Sequence, residues 1–320
     1  MPYPAGMPPA HSLSRLAEEL LPVLYQHRLM TTSQLHQLMQ PHTAHAVYVR
    51  RQLNRLRELQ LVETTLRRRG GRGELAWYCT GLGAEVVEAS GEVRPRSHRL
   101  TEQTAAFQLQ EHTLAVNATG LAFVAAARAA GHECGPLDWE PELAHRLRDG
   151  DSRIGDEAFL VPDAVLSYIH RQHSTRTIAN FFLEIDRATM TPDRLVDKLR
   201  AYARYQSYHP TPIVTGRPRT GSGTPGGGAA WRNRYPVFPR VLFVLAGAPP
   251  AALDRRIADL RALAAADSRL QRAAQRLTAG VTTLHQLQTA GPWEPIVVPV
   301  FGEDATLTTA LLHAPAAEAA

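Results

Sequence analysis

The spacing of apolar positions changes along the chain, and each change marks a new element. Residues 13–27, LSRLAEELLPVLYQH, place Leu16, Leu20, Leu21 and Leu24 on one helical face. Pro22 inside that run predicts a kinked or shortened helix. TTSQLHQLM then predicts a short helix with Leu35 and Leu38 inward and Thr31 or Thr32 as its cap. After QPHT, Thr43 is the expected cap of a longer helix, AHAVYVRRQLNRLRELQ, with Val47, Leu53, Leu56 and Leu59 as its buried stripe. LVETTLRRR and ELAWYCT read as two strands joined by GGRG, a hairpin in which Cys79 is a small buried residue.

From about residue 111 the pattern is different. EHTLAVNATGLAFVAAARAAG predicts an alanine-rich amphipathic helix ending at Gly131. LDWEPELAHRL, EAFLVPDAVLSYIH and RTIANFFLEIDRA predict three strands, the second interrupted by Pro162. In the third, Phe181, Leu183 and Ile185 share one face and Phe182, Glu184 and Asp186 the other. Thr191, Pro192 and Asp193 open a helix whose inward stripe is Leu195, Leu199, Tyr202 and Tyr205. YPVFPRVLFVLAGA and PIVVPVF supply a fourth and a fifth strand, with the helix LDRRIADLRALAAA between them. The fold class is therefore α/β in the α+β sense, a small helical and hairpin domain followed by a mixed sheet flanked by helices.

Length and composition fix the organisation. With 320 residues, 44% hydrophobic and 20% charged, the chain is an ordinary globular protein with room for two cores. The expected division is 1–12 as a disordered N-terminus, 13–80 as the first domain and 81–110 as a connecting segment. Residues 111–305 form the second domain and 306–320 the tail. No uninterrupted apolar run approaches the roughly 18 residues of a membrane helix. MPYPAGMPPAHS lacks the order of a signal peptide, so a cytoplasmic location is expected. Two cysteines make neither a disulfide framework nor a metal cluster.

The net charge of +5 is unevenly placed. Residues 1–100 carry 13 Arg against 8 Glu, with no Lys or Asp, and the rest of the chain is neutral. Residues 50–72 hold 8 Arg and only 2 Glu, a footprint suited to a polyanion. Helix, short helix, basic helix and basic hairpin together make a winged helix-turn-helix, in which the basic helix enters a major groove of double-stranded DNA. The expected DNA contacts are Arg50, Arg51, Asn54, Arg55 and Arg57 on the helix and Arg67, Arg68, Arg69 and Arg72 at the hairpin tip. Winged-helix proteins often pair, so a homodimer is among the expected states.

Lys198 is the one lysine in the chain. It lies three residues after Leu195 and four before Tyr202, on their inward stripe, where arginine would be a poor replacement. The order helix, three strands, helix, strand is that of restriction-endonuclease-like nucleases. Their signature is an acid at the start of the second strand, then acid, spacer, lysine on the third. Pro162-Asp163 and Glu184-Ile185-Asp186 supply the acids, with aspartate at position 186 where the signature has lysine. Lys198, one or two turns into the next helix, is the candidate replacement. Asp163, Glu184 and Asp186 are the expected holders of Mg²⁺ or Mn²⁺, and with Lys198 they are the catalytic candidates for metal-dependent nicking. The same acids, paired with Lys198 or Arg187, could instead be structural.

The basic helix and hairpin, EHTLAVN, VPDAVL, FFLEIDRATM and KLRAYARYQ together resemble the actinobacterial replication-relaxation proteins associated with plasmids. The resemblance covers roughly residues 15–250 and implies DNA-linked work in plasmid replication, transfer or topology. Three readings stay open: a DNA-processing enzyme, a DNA-binding accessory or transcriptional regulator with a degenerate nuclease fold, and a protein-interaction scaffold. Among weaker signals, His170 and His173 read as polar turn residues, and Tyr202 and Tyr205 as core. Residues 210–238 read as a mobile loop in which Arg217, Arg219, Arg232 and Arg234 could close over phosphates and Trp231 could stack on a base.

Overall fold

The computed structural model describes residues 13–67, 73–96, 110–150, 158–172, 175–211 and 228–312. Arg68, Arg69, Arg72, His173, Arg217 and Arg219 lie outside the described residues, as do residues 1–12, most of the 210–238 loop and the tail from 313. The fold is mixed α+β, with two compact units: residues 1–121 with 135–137, and residues 122–134 with 138–320. The division runs inside the helix Gln110–Ala130 rather than through residues 81–110.

In the first unit the order is α1 (Arg15–His27), β1 (Met30–Thr31), α2 (Thr32–Met39), α3 (Val47–Glu58), β2 (Val62–Leu66), β3 (Leu75–Cys79) and α4 (Gly81–Ser90). The strands form an antiparallel sheet in the order β1-β3-β2. α1 runs through Pro22 to His27, so the proline does not shorten it. Proline removes one intrahelical hydrogen bond, but Leu20, Leu21 and Leu24 are buried around it and hold the helix in place. α2 opens on a capping box, in which Thr31 accepts from the Gln34 N–H and the Gln34 side chain accepts in return from the Thr31 N–H.

α3 departs from the sequence reading at its start and in its face. Its N-cap is Ala46, because the Thr43 hydroxyl is engaged with the Gln40 carbonyl and the His36 ring. The buried stripe is Val49, Gln52, Leu53 and Leu56. These positions follow the 3.6-residue period, whereas Val47 falls outside it and is exposed. Cys79 is buried as expected.

The helix shared between the units is α5 (Gln110–Ala130). By length and composition it is apolar enough to cross a membrane, although no single apolar run in it is that long, and 61% of the stretch is buried inside the fold. Alanines raise its hydropathy without making it continuous.

In the second unit β4 (Trp139–Pro141), β7 (Ala164–Gln172) and β8 (Thr175–Asp186) form an antiparallel meander. β5 (His145–Arg146) and β6 (Phe159–Leu160) make a separate two-stranded ladder. α6 (Pro192–Ser207) then leads to β9 (Arg240–Leu245), which lies parallel to β8. α7 (Pro250–Ala266) and α8 (Ser268–Ala273) lead to β10 (Ala279–Thr283), parallel to β9. After α9 (Leu284–Thr289), β11 (Val298–Pro299) closes the six-stranded order β11-β10-β9-β8-β7-β4.

The expected order of helix, three strands, helix and strand is present. The strand AGVTT was not anticipated, and PIVVPVF pairs with it at Val298 and Pro299, while Val297 bridges to Thr308. The sequence pattern assigns Ala279 and Gly280 to no element. In the fold Gly280 is where a Cβ would meet the Val297 and Leu312 side chains at 2.5 Å, so the strand needs a residue without one.

One sheet face packs Val165, Phe182, Val241 and Phe243 against Leu195, Leu199, Tyr202 and Tyr205 of α6 and Leu253 and Leu260 of α7. On the other face Phe123 and Trp293 meet Tyr168 and Phe181. This alternation fixes which way the acids of β8 point.

Candidate functional site

The antiparallel register pairs Ala164 with Leu183, which sets Asp163 across from Glu184 just beyond the ladder. Asp163 Oδ2 accepts the Ile185 N–H at 2.6 Å, locking the aspartate to the neighbouring strand. Glu184 shares the face of Phe182, so it points at α6 and is 1% exposed. There the Lys198 ammonium donates to Glu184 Oε2 and the Tyr202 hydroxyl donates to Oε1. Lys198 Nζ also lies 3.8 Å from Asp163 Oδ1. The inward stripe of α6 thus carries both the ammonium and a phenol, one turn apart, onto a single carboxylate. Tyr202 is core, as expected, and its hydroxyl is also a ligand of the acid.

Electrostatics follow from this burial. Desolvation pushes the Glu184 carboxyl up to about 7, with the Asp163 charge adding to the rise and Lys198 opposing it. Burial disfavours the Lys198 charge, but Glu184 and Asp163 outweigh it and raise its pKa above the ordinary lysine value. The result is a partly exposed cation held between two carboxylates, of which Glu184 is buried.

Asp186 does not join them. Its side chain is fully buried, and Arg256 of α7 binds Oδ2 through Nη2 and, at 3.0 Å, through Nε. Its Oδ1 accepts the Thr189 and Met190 N–H groups at 3.2 and 3.4 Å. Arg256 also donates to the Met190 carbonyl. Asp186 therefore organises the turn into α6, where Ala188 has φ +58°. Thr191 starts that helix in extended conformation without a side-chain capping bond.

A divalent ion fits this donor set only in part. Among the described residues no group of three His, Cys, Asp or Glu converges to hold a metal. Asp163 and Glu184 do converge, since both reach the same ammonium. Mg²⁺ often takes only one or two protein carboxylates and completes its shell with water and phosphate. The three-carboxylate site is thus reduced to a pair, because a guanidinium already neutralises Asp186.

The basic surface is also sorted by the structure. Arg50, Arg51 and Asn54 are exposed on α3 and have no carboxylate partner among the described residues. Arg55 pairs with Glu58 at 2.9 Å and Arg57 with Glu63 at 2.7 Å, both at the surface, where such pairs contribute little. Arg67, one of the expected DNA contacts, is half-buried between Glu74 and Glu111, at 3.0 and 3.2 Å. Hydrogen bonding to Glu111 holds its charge more firmly than usual. The reason is local: the Arg67 N–H donates to the Glu74 carbonyl across the hairpin, which turns its side chain toward those acids.

Trp231, expected on a mobile loop, lies in a short 3₁₀ turn, donates to the Gln206 carbonyl and packs edge-on to Phe238. Arg234 donates to the Ala144 carbonyl. The His170 ring sits 4.1 Å from the His132 ring, centroid to centroid, beside Trp293.

Arg256 was not anticipated as a partner of the acids. The signal was present: Arg256 lies three residues after Leu253 and four before Leu260, both buried, the same placement that drew attention to Lys198.

Among proteins with curated descriptions, none matches this chain. Among solved structures, the restriction endonuclease FokI is similar over 86% of this chain and 43% of its own, at 11% identity and a TM-score of 0.27. The chain thus spans less than half the length of that protein. The profile of the family described as replication-relaxation matches residues 21–215, a span that takes in α3, both converging carboxylates and Lys198. The chain belongs to the replication-relaxation family.

Proposed function

We propose that the protein binds double-stranded DNA, with plasmid DNA as its partner and replication, relaxation or transfer as its setting in the cytoplasm. The observation that carries this reading is the outer face of α3, where Arg50 and Arg51 stand exposed beside Asn54 with no carboxylate partner among the described residues, the one acid of that face, Glu58, being paired with Arg55. The element order α1, β1, α2, α3, β2, β3 supports reading this unit as a winged helix with α3 as its groove-reading helix. The excess of Arg over Glu in the first hundred residues supports the same partner.

Titration of a fluorescent 30-bp duplex at several salt concentrations tests it. Affinity is expected to fall steeply with salt, because phosphate contacts release counterions. The R50A/R51A double variant is expected to bind tenfold or more weakly, with the log–log salt slope reduced by about 1 or more. Its thermal midpoint should be unchanged, since both side chains are exposed. Salt-independent binding, or none, would remove the reading.

A second reading is favoured by the convergence of Asp163, Glu184 and Lys198, namely a nicking endonuclease dependent on a divalent ion. Asp163 and Glu184 would hold the ion, which supplies Lewis acidity and activates water. Lys198 would steady charge on the scissile phosphate's oxygens, and Tyr202 keeps Glu184 aimed at the same point. On this reading supercoiled plasmid is nicked with Mg²⁺ or Mn²⁺ and D163A abolishes nicking while DNA binding persists. If wild type binds and never nicks, the protein is a DNA-binding accessory.

A further inference from the structure

The centre of the exposed α3 face is not basic. Val47 is 66% exposed and Tyr48 46%, the first of them a residue whose apolar character suggested the core. Val47, Arg51 and Asn54 stand at i, i+4 and i+7, so they form one stripe along the helix. That stripe lies directly opposite the buried Val49, Gln52, Leu53 and Leu56. Arg50 and Arg57 flank it on one side, Tyr48 and Arg55 on the other. A helix lying in a major groove turns its central stripe to the base edges and its flanks to the two phosphate walls.

From this placement we infer that α3 reads sequence as well as charge, and that Val47 is a specificity-determining residue which packs on a thymine 5-methyl group. Arg51 pairs with guanine O6 and N7, and Asn54 with adenine N6 and N7, each through two hydrogen bonds. Arg50, Arg55 and Arg57 contact phosphates and set the register. A face built for charge alone would be better served by arginine at position 47, since valine there has no ion to attract and lies largely in solvent without DNA. The partner is thus a duplex whose site contains thymine. This inference rests on the DNA-binding reading above.

The test begins with a pool of randomised 30-bp duplexes, selected on the wild-type protein at physiological salt. The recovered duplex is then resynthesised with deoxyuridine for thymidine, which removes only the methyl groups from the major groove. Wild type is expected to enrich a thymine-containing site and to bind the deoxyuridine duplex about fourfold more weakly, the loss of one buried methyl contact. V47A should bind both duplexes alike, with the wild-type salt slope, and R51A should lose preference at one position of the site. Enrichment of no sequence, or equal wild-type affinity for the two duplexes, would overturn the inference while salt-sensitive binding left the DNA-binding reading standing. Failure to bind any duplex in a salt-sensitive way would overturn both.

Discussion

Replacing Lys198 with alanine is expected to lower stability by roughly 3–5 kcal/mol at pH 8, the cost of leaving a buried carboxylate without its counter-ion. Glu184 is 1% exposed and keeps only the Tyr202 hydroxyl in that variant. The loss should depend on pH in a definite direction. Burial already raises the Glu184 carboxyl from an ordinary 4.5 to about 7. A carboxyl raised on folding favours the folded state at low pH, and that contribution is lost as pH rises through its folded pKa. Without Lys198 opposing it the Glu184 pKa moves higher still, so K198A should recover much of its deficit near pH 5, where the acid is protonated in both proteins.

K198R should fall between wild type and alanine, since a planar fork does not replace a compact ammonium between these two carboxylates. E184Q/K198M should approach wild type, because removing both charges of a buried pair is often nearly neutral. Urea unfolding of the four proteins at pH 5 and pH 8 measures this. A K198A midpoint within experimental error of wild type at pH 8 would mean that Glu184 is not held as described.

How much of this was legible in the sequence differs from element to element. The stripe logic that singled out Lys198 worked because a charged residue between two inward positions of a helix must meet something, and here it meets Glu184 and Asp163. Applied to α7, the same logic marks Arg256. Strand period put Asp186 on the face of Glu184, and it is there. Period alone does not say which helix covers which end of a strand, so the capture of Asp186 by α7 depends on the crossover from β9. Val47 failed for a different reason. Apolar character was allowed to outweigh phase, whereas Val49, Gln52, Leu53 and Leu56 keep the period and include a polar residue. Gly280 and its strand were hidden because a residue chosen for close approach looks like a turn residue when its neighbours are unknown.

Arg256→Ala is expected to be as damaging as Lys198→Ala, again roughly 3–5 kcal/mol, and for a related reason. Asp186 is fully buried, and Arg256 supplies its only ion pair among the described residues. The acid would keep the Thr189 and Met190 N–H groups, which ease its burial without neutralising it. Arg256→Lys should recover only part of the loss, since an ammonium does not reproduce the two-nitrogen grip on Asp186 together with the bond to the Met190 carbonyl. The consequence should reach beyond stability. The turn that Asp186 and Arg256 hold leads within a few residues into α6, the helix that carries Lys198 and Tyr202. It is also pressed against Gly247, where a Cβ would come within 2.9 Å of the Arg187 carbonyl oxygen, so it has little room to rearrange. Loosening it should therefore shift the ammonium from its carboxylates, and R256A and K198A should be non-additive by at least about 0.5 kcal/mol in a double-mutant cycle. Strict additivity would make Arg256 a local counter-ion only, with no part in positioning Lys198. Position 186 holds an acid, and Arg256 of α7 brings its counter-charge. Whether the two cations act as one unit is what the cycle measures.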